Sequence, residues 1–246
     1  MKVEVTIIIA AYNAETTIER ALKSVKSQNF ENWECFIIDG ASKDRTIEIV
    51  QKIIKSDSRF QLFSEPDKGV YDAFNKGWRL AHGEWIYYLG ADDELLPNGL
   101  SVLISKSDGV DLVYGGIVRR YANGKTKQVP PDNFEYCMPF SLGASHQAII
   151  MKRNLIEKLG GFKLKYRILA DFDLINNAYY VGIKTRRCDN CIAIFQIGGL
   201  STDNLSSLKE RFDILTSYAV PKEKAFLHCL KMGILFCLYK IKHRYF

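Results

Sequence analysis

Two adjacent carboxylates, Asp92 and Asp93, directly follow the strongly β-forming run Glu84-Trp85-Ile86-Tyr87-Tyr88-Leu89. Acidic side chains at the carboxyl end of a parallel strand are well placed to hold a hard divalent cation and a nucleotide. Standing alone, the pair would read equally as two solvated acids in a turn. Three further features end predicted strands: Ala10-Ala11-Tyr12-Asn13 after the first, Asp39 at the close of the second, and Glu65-Pro66-Asp67-Lys68-Gly69 after the third. A parallel sheet would gather all four loops on one rim, with backbone amides, an aromatic ring and several carboxylates in one crevice. Asp39 can accept hydrogen bonds from the donor edges of a base or ribose, although by itself it would be a turn or N-cap residue before Gly40. Together the group points to chemistry on a nucleotide diphosphate.

The chain has no Gly-x-Gly-x-x-Gly after its first strand and no Gly-x-x-x-x-Gly-Lys-Ser/Thr. The charge of a diphosphate must then be met otherwise. A divalent cation on Asp93, aided by Lys76, would do so; the plain alternative for Lys76 is a solvated helix lysine.

The elements that must position these residues are legible in the first hundred positions. Val3 to Ile9 reads as a strand buried on both faces. Thr16-Thr17-Ile18-Glu19 predicts a capping box before a helix with Ile18, Leu22 and Val25 on one face. Strands Trp33 to Asp39 and Phe60 to Ser64 flank a helix through Ile47, Val50 and Ile54. Val70, Phe74 and Trp78 predict a helix ending near Gly83. This βαβαβαβ order implies an α/β, Rossmann-like, open and mostly parallel twisted sheet with helices on both faces. Farther on, Asn123-Gly124 predicts a hairpin between Asp111–Tyr121 and Lys125–Val129. Gln147 to Met151 reads as a strand, Asn154 to Leu159 as a short helix and Asp171 to Val181 as a helix.

The 246 residues suffice for one such domain with a modest appendage, and 47% hydrophobic with 25% charged residues are those of an ordinary globular protein. Met1-Lys2-Val3-Glu4 runs into the first strand without a leader pattern, and no apolar run approaches the roughly 18 residues of a membrane span, so a cytoplasmic protein is expected. The six cysteines should then be reduced. Cys188 and Cys191 form a Cys-x-x-Cys, but no second pair stands at metal-ligand spacing. The net charge of +6 concentrates toward the end, where basic residues mix with apolar ones and not along an aromatic-studded sheet, which argues against a nucleic-acid partner.

Thr6-Ile7-Ile8-Ile9-Ala10-Ala11-Tyr12-Asn13, Ile37-Ile38-Asp39-Gly40-Ala41-Ser42-Lys43-Asp44-Arg45-Thr46 and Asp92-Asp93 resemble the family 2 glycosyltransferases of the GT-A fold. Gly69-Val70-Tyr71-Asp72-Ala73-Phe74-Asn75-Lys76-Gly77 with Gly83-Glu84-Trp85-Ile86 looks like the subgroup that builds bacterial surface polysaccharides such as capsule or lipopolysaccharide. Ser145-His146-Gln147, Gly160-Gly161-Phe162, Ala170-Asp171-Phe172-Asp173-Leu174 and Gly198-Gly199-Leu200-Ser201 extend the likeness to about residue 201.

That resemblance implies roles position by position. Ala11, Tyr12 and Asn13 would line the donor nucleotide pocket, and Asp39 would bind the base, uracil being expected, with Asp67 nearby. Asp92 would reach the ribose or the metal (Mn2+ or Mg2+), Asp93 would be its principal ligand, and His146 is a candidate third ligand or phosphate donor, or else an interior histidine. Asp171 matches the catalytic carboxylate that takes the acceptor's proton in an inverting displacement; the bland reading is an N-terminal helix acid. Two departures stand out. Many members carry Arg-Asn where this chain has Phe74-Asn75, so a phosphate or acceptor contact is lost or passes to Lys76. The Gln-x-x-Arg-Trp signature of processive synthases is absent, which favours transfer of one sugar per encounter.

The expected organisation is a GT-A domain over 1–205, with a nucleotide-sugar half (1–100) and an acceptor half (101–205), then a helical basic tail over 206–246. In the tail Phe226, Leu230, Ile234, Cys237 and Ile241 share one helical face. Residues 222–246 would contact the inner face of the cytoplasmic membrane, where lipid-linked saccharide acceptors reside, or else pack on the domain or a homodimer partner. The competing function is a non-catalytic nucleotide-sugar or glycan-binding module, which would not need Asp171.

Overall fold

The computed structural model describes residues 3–198 and 206–244, with backbone alone at 206 and from 239 onward. The first half alternates β1 (Val5–Ala11), α1 (Ile18–Lys26), β2 (Trp33–Asp39), α2 (Thr46–Ile54), β3 (Phe60–Ser64), α3 (Val70–Leu80) and β4 (Trp85–Gly90). Next come the short β5 (Glu94–Leu95) and α4 (Gly99–Ile104), the hairpin β6 (Leu112–Arg120) and β7 (Thr126–Val129), and α5 (Phe134–Cys137). A 3-10 turn at His146–Ala148 leads into β8 (Ile149–Lys152) and α6 (Arg153–Leu159). The chain closes with α7 (Ala170–Tyr180), β9 (Thr185–Gln196), α8 (Ser206–Ser217) and α9 (Lys222–Arg244).

One open sheet runs in the order β3-β2-β1-β4-β8-β6-β9-β5, with β7 paired to the far end of β6, beyond the stretch that β8 pairs. The first four strands are parallel, as their connecting helices require. Beyond β4 the sheet is mixed: β8 lies antiparallel to β4 and β6, and β9 returns parallel to β6. The register sets the rim. Ala11 pairs with Asp39, Asp39 with Ser64 and Ala10 with Gly90, so the carboxyl ends of four parallel strands finish side by side.

The sheet is buried on both faces because alternate residues of apolar strands point to opposite sides. Ile7, Ile9, Ile37, Tyr87 and Leu89 pack with Ile18, Leu22 and Val25 of α1 and Val50 of α2. Ile8, Phe36, Ile38, Ile86 and Tyr88 pack on the other side with Phe74 of α3 and with Phe172 and Ile175 of α7. Ile214 and Leu215 of α8 and Ala225 of α9 are buried in this second core. The segment from 206 thus contributes buried side chains to this core beside those of α7.

The helix at Ile18 has the expected apolar face, but the capping box does not form. Thr17 occupies the cap position without a side-chain cap bond. The amides of Ala14 and Glu15 are instead held from the loop after β2, by Thr46 Oγ1 (2.7 Å) and Asp44 Oδ2 (3.1 Å). Cys188 and Cys191 both lie on β9 as free thiols, Cys188 buried, which suits sheet packing. Among the described residues no helix is long and apolar enough to cross a membrane.

Candidate active site

At the rim, the loops after β1 and β2 form one unit. Asn13 and Ala41 take left-handed backbone (φ 48° and 60°), turning both loops sharply. Ser42 Oγ accepts the Asn13 amide (2.9 Å), Asn13 Oδ1 accepts the Lys43 amide (2.9 Å), and Ala11 O accepts the Gly40 amide (2.9 Å). Asp39 is fully buried beneath them. Its Oδ2 accepts the Ser42 amide (2.9 Å) and the Ser64 hydroxyl (2.7 Å), and its Oδ1 accepts the Ser42 hydroxyl. Asp67 crosses over Gly40 so closely that a Cβ there would lie 2.7 Å from Oδ2, while Oδ1 takes the Gly69 amide. Tyr12 stands exposed on this rim. Ala11, Tyr12, Asn13, Asp39 and Asp67 are thus brought together. Lys76 reaches the same β3–α3 loop, where its Nζ meets the Pro66 carbonyl and Glu65 Oε1, both at 2.8 Å.

The acid pair follows β4. The carboxylates of Asp92 and Asp93 converge over Gly90, whose Cβ, if present, would stand 2.9 Å from Asp92 Oδ1 and 2.7 Å from Asp93 Oδ2. The turn is held from outside: Arg20 donates to the Asp92 carbonyl (3.0 Å) and pairs with Glu94, which also binds Arg120. Asp93 is buried, with the Gln196 amide on Oδ1 (2.9 Å) and Gln147 Nε2 on Oδ2 (3.0 Å). Burial and the neighbouring Asp92 charge push its carboxyl up to about 6, against the opposing pull of the Gln196 amide and the His146 charge. Two hard oxygens around a gap that a Cβ would fill suit a divalent cation, whose remaining ligands would be phosphate oxygens and water.

His146 pairs with another carboxylate. Its Nδ1 lies 3.1 Å from Asp171 Oδ2, and among the described residues no group of three or more His, Cys, Asp or Glu is placed to hold a metal. Asp171 Oδ1 takes the Phe172 amide (2.8 Å) and shares the Tyr71 hydroxyl (3.0 Å) with the Ile168 carbonyl (2.7 Å). Among the described residues Oδ2 has His146 alone, which leaves it a lone pair for a further donor. Burial pushes Asp171 up, but the His146 bond and charge, the Phe172 amide and Tyr71 outweigh it and hold the carboxyl below its usual range. Burial likewise pushes His146 down, yet Asp171, Asp93 and Asp92 together raise it. The carboxylates on both sides of the ring thus favour its protonated form.

Phe74 is buried under His146 with ring centroids 6.3 Å apart, and it packs on Tyr88 and Phe162. Asn75 is buried too. It clasps both backbone groups of Phe162 (2.8 and 2.9 Å) and accepts from Trp78 Nε1. The pair therefore builds the Gly160-Gly161-Phe162 turn. Tyr71, Gln147 and Gln196 were not singled out from sequence for these contacts. Tyr71 and Gln147 stand within quoted motifs and offered a signal; Gln196 lies on β9, a strand the sequence reading left unassigned. Of the Gly198-Gly199-Leu200-Ser201 motif, residues 199–201 lie outside the described residues.

Residues 6–167 match the profile of the family described as Glycosyl transferase family 2. A "PGL/p-HBAD biosynthesis glycosyltransferase" of Mycobacterium bovis is 31% identical over 204 residues, which cover 80% of this chain and 78% of the relative. Among solved structures, S. aureus TarS 1-349 in complex with UDP-GlcNAc superimposes with a TM-score of 0.71 at 17% identity, covering 92% of this chain and 70% of that one. The mannosyltransferase PcManGT from Pyrobaculum calidifontis, in complex with GDP-Man and Mn2+, gives 0.66 at 20% identity, covering 87% and 62%.

Proposed function

The chain belongs to glycosyl transferase family 2, and on that premise we propose that it moves one sugar per encounter from a UDP-linked donor to a saccharide acceptor, with inversion. The observation that carries this reading is the convergence of Asp92 and Asp93 over Gly90, with His146 between them and Asp171. A module that only bound glycans would have no use for a desolvated, ion-paired carboxylate facing an acid pair.

In this reading Ala11, Tyr12 and Asn13 line the nucleotide pocket, and Asp67 and Asp39 face the base. Asp39 lies beneath Ser42, so a base contacts it once the Ser42 hydroxyl turns aside. Asp93, with Asp92, would hold Mn2+ or Mg2+, which when bound neutralises the diphosphate as it departs. Asp171 Oδ2 accepts the proton of the acceptor hydroxyl during a single displacement of oxocarbenium character. A carboxylate held below its usual range is a weak base, which suits a hydroxyl that loses its proton late. His146 keeps Asp171 ionised and turned toward the acceptor.

The same reading places the acceptor near a membrane, in bacterial surface-glycan assembly. Phe226, Leu230, Ile234 and Leu238 of α9 are exposed, as are Lys222, Lys224 and Lys231. Apolar side chains among lysines on one helix suit an anionic lipid surface. Sedimentation with phosphatidylglycerol vesicles but not phosphatidylcholine vesicles is the expected result. Self-association without vesicle binding would assign this helix to a homodimer.

Calorimetric binding of UDP, GDP and TDP, each with manganese and with excess chelator, tests the donor reading. UDP should bind best and lose its affinity with the metal; no metal-linked binding of any nucleotide would overturn the proposal.

A further inference from the structure

The loop that delivers Asp171 has an unusual anchor. Glu210, on α8, accepts three consecutive backbone amides: Arg167 on Oε1 (2.8 Å), and Ile168 (3.0 Å) and Leu169 (2.9 Å) on Oε2. Leu169 precedes the first residue of α7 and makes no side-chain cap bond of its own; the carboxylate of a distant helix instead holds its amide and the two before it. Hydrogen bonds from amides to a carboxylate are charge-assisted and short, and three on one side chain fix a turn firmly.

The restraint passes on to Asp171. The Ile168 peptide that gives its amide to Glu210 belongs to the residue whose carbonyl accepts the Tyr71 hydroxyl, and the same hydroxyl lies 3.0 Å from Asp171 Oδ1. One phenolic proton serves two acceptors, so the position of Ile168 decides how much of it reaches Asp171. The rest of α8 grips the same stretch. Asp213 accepts the Tyr166 hydroxyl (2.7 Å), Tyr218 reaches Asp173, and the Arg211 guanidinium lies 4.3 Å over the Phe172 ring.

We infer that Glu210 is a positioning residue of the transfer reaction: by binding the three amides of Arg167, Ile168 and Leu169 it sets the direction of Asp171 through Ile168 and Tyr71. The inference deepens the reading of Asp171 as the base and rests on it for its bearing on catalysis. It also makes α8 part of the catalytic apparatus, although none of its side chains need touch substrate.

Amide hydrogen exchange by NMR on the full chain, with UDP and manganese binding measured in parallel, tests it. In Glu210→Ala, protection should fall not only at 167–169 but also at the Phe172 amide, which is held by Asp171 Oδ1, while UDP affinity stays within about threefold. Glu210→Gln keeps an acceptor oxygen and should restore much of the Phe172 protection; in a transfer assay kcat should follow that order with donor KM unchanged. If Glu210→Ala does not fold, Glu210→Asp, one methylene shorter, gives the same comparison. Loss confined to 167–169, with Phe172 protected as in the parent, would overturn the inference. The exchange readout reports where Asp171 is held whatever its role, so a normal transfer rate in Asp171→Asn would refute the base assignment separately.

Discussion

His146 Nδ1 stands 3.1 Å from Asp171 Oδ2, and each residue holds the other in its charged form against the burial that opposes both. A depressed Asp171 contributes stability above its ordinary titration range, lost as pH falls through the lowered value. A raised His146 contributes below its ordinary range, lost as pH rises through the raised value. The pair is therefore fully formed only between those limits. In His146→Gln burial acts on Asp171 unopposed by the imidazolium. The acid limb of the kcat profile should move to higher pH, measured in initial-rate assays across pH.

Asp171→Asn keeps the shape of the side chain and removes its proton affinity. Transfer should fall by at least about a thousandfold, within the range of general-base removal. UDP affinity should change less than about threefold, because Asp171 makes no hydrogen bond to the loops after β1 and β2 among the described residues. Product formation and calorimetric binding on the same preparation check both halves.

Asp93 titrates the other way. Its carboxyl is pushed up to about 6, so the folded chain holds this proton more tightly than the unfolded chain does. Without metal, its contribution makes stability fall as pH rises from the ordinary carboxylate range to about 6. Metal-linked UDP binding should run opposite, weakening as pH drops through about 6, because the proton competes with the cation. Asp93→Asn should abolish the metal-linked part of binding and flatten this segment of the stability profile, read by urea unfolding with and without chelator.

Gly90→Ala tests the gap itself. The three atoms nearest to a Cβ all belong to the side chains of Asp92 and Asp93, so the fold should tolerate it with a Tm within a few degrees of the parent. The two carboxylates must then separate. Metal-linked UDP affinity should fall by about tenfold or more, and metal-free affinity should not.

Asn75→Ala removes a buried amide that serves both backbone groups of Phe162 and the Trp78 indole. Leaving these groups unpaired should cost about 2–4 kcal/mol. The urea midpoint should drop with the m-value unchanged. An arginine restored at Phe74 would have to enter the ring cluster beneath His146, so Phe74→Arg should destabilise as well.

The parallel half of the fold was legible because its signals are local. Val5–Ala11, Trp33–Asp39, Phe60–Ser64 and Trp85–Gly90 are short apolar runs, helices of clear period join them, and parallel order then forces their loops to one rim. The residue types on that rim, with the Asp92-Asp93 pair, sufficed to indicate nucleotide-diphosphate chemistry. The second half was less legible. The twelve-residue β9 carries mixed polarity because its outer residues face solvent, and neither β9 nor α8 announces itself by periodicity.

What only the tertiary structure decided is which donor meets which acceptor. Sequence offered a capping box at Thr16, three roles for His146 (metal ligand, phosphate donor or interior histidine) and no partner for Asn75. The fold caps Ala14 and Glu15 from Asp44 and Thr46, pairs His146 with Asp171 and spends Asn75 on a turn. Each of these bonds joins residues about 25 or more positions apart, and a buried polar group takes whichever partner the packing brings within reach. Residue type sets what a side chain can bind. The sheet register and the helix that closes over it, with Glu210 on α8, determine what it does bind.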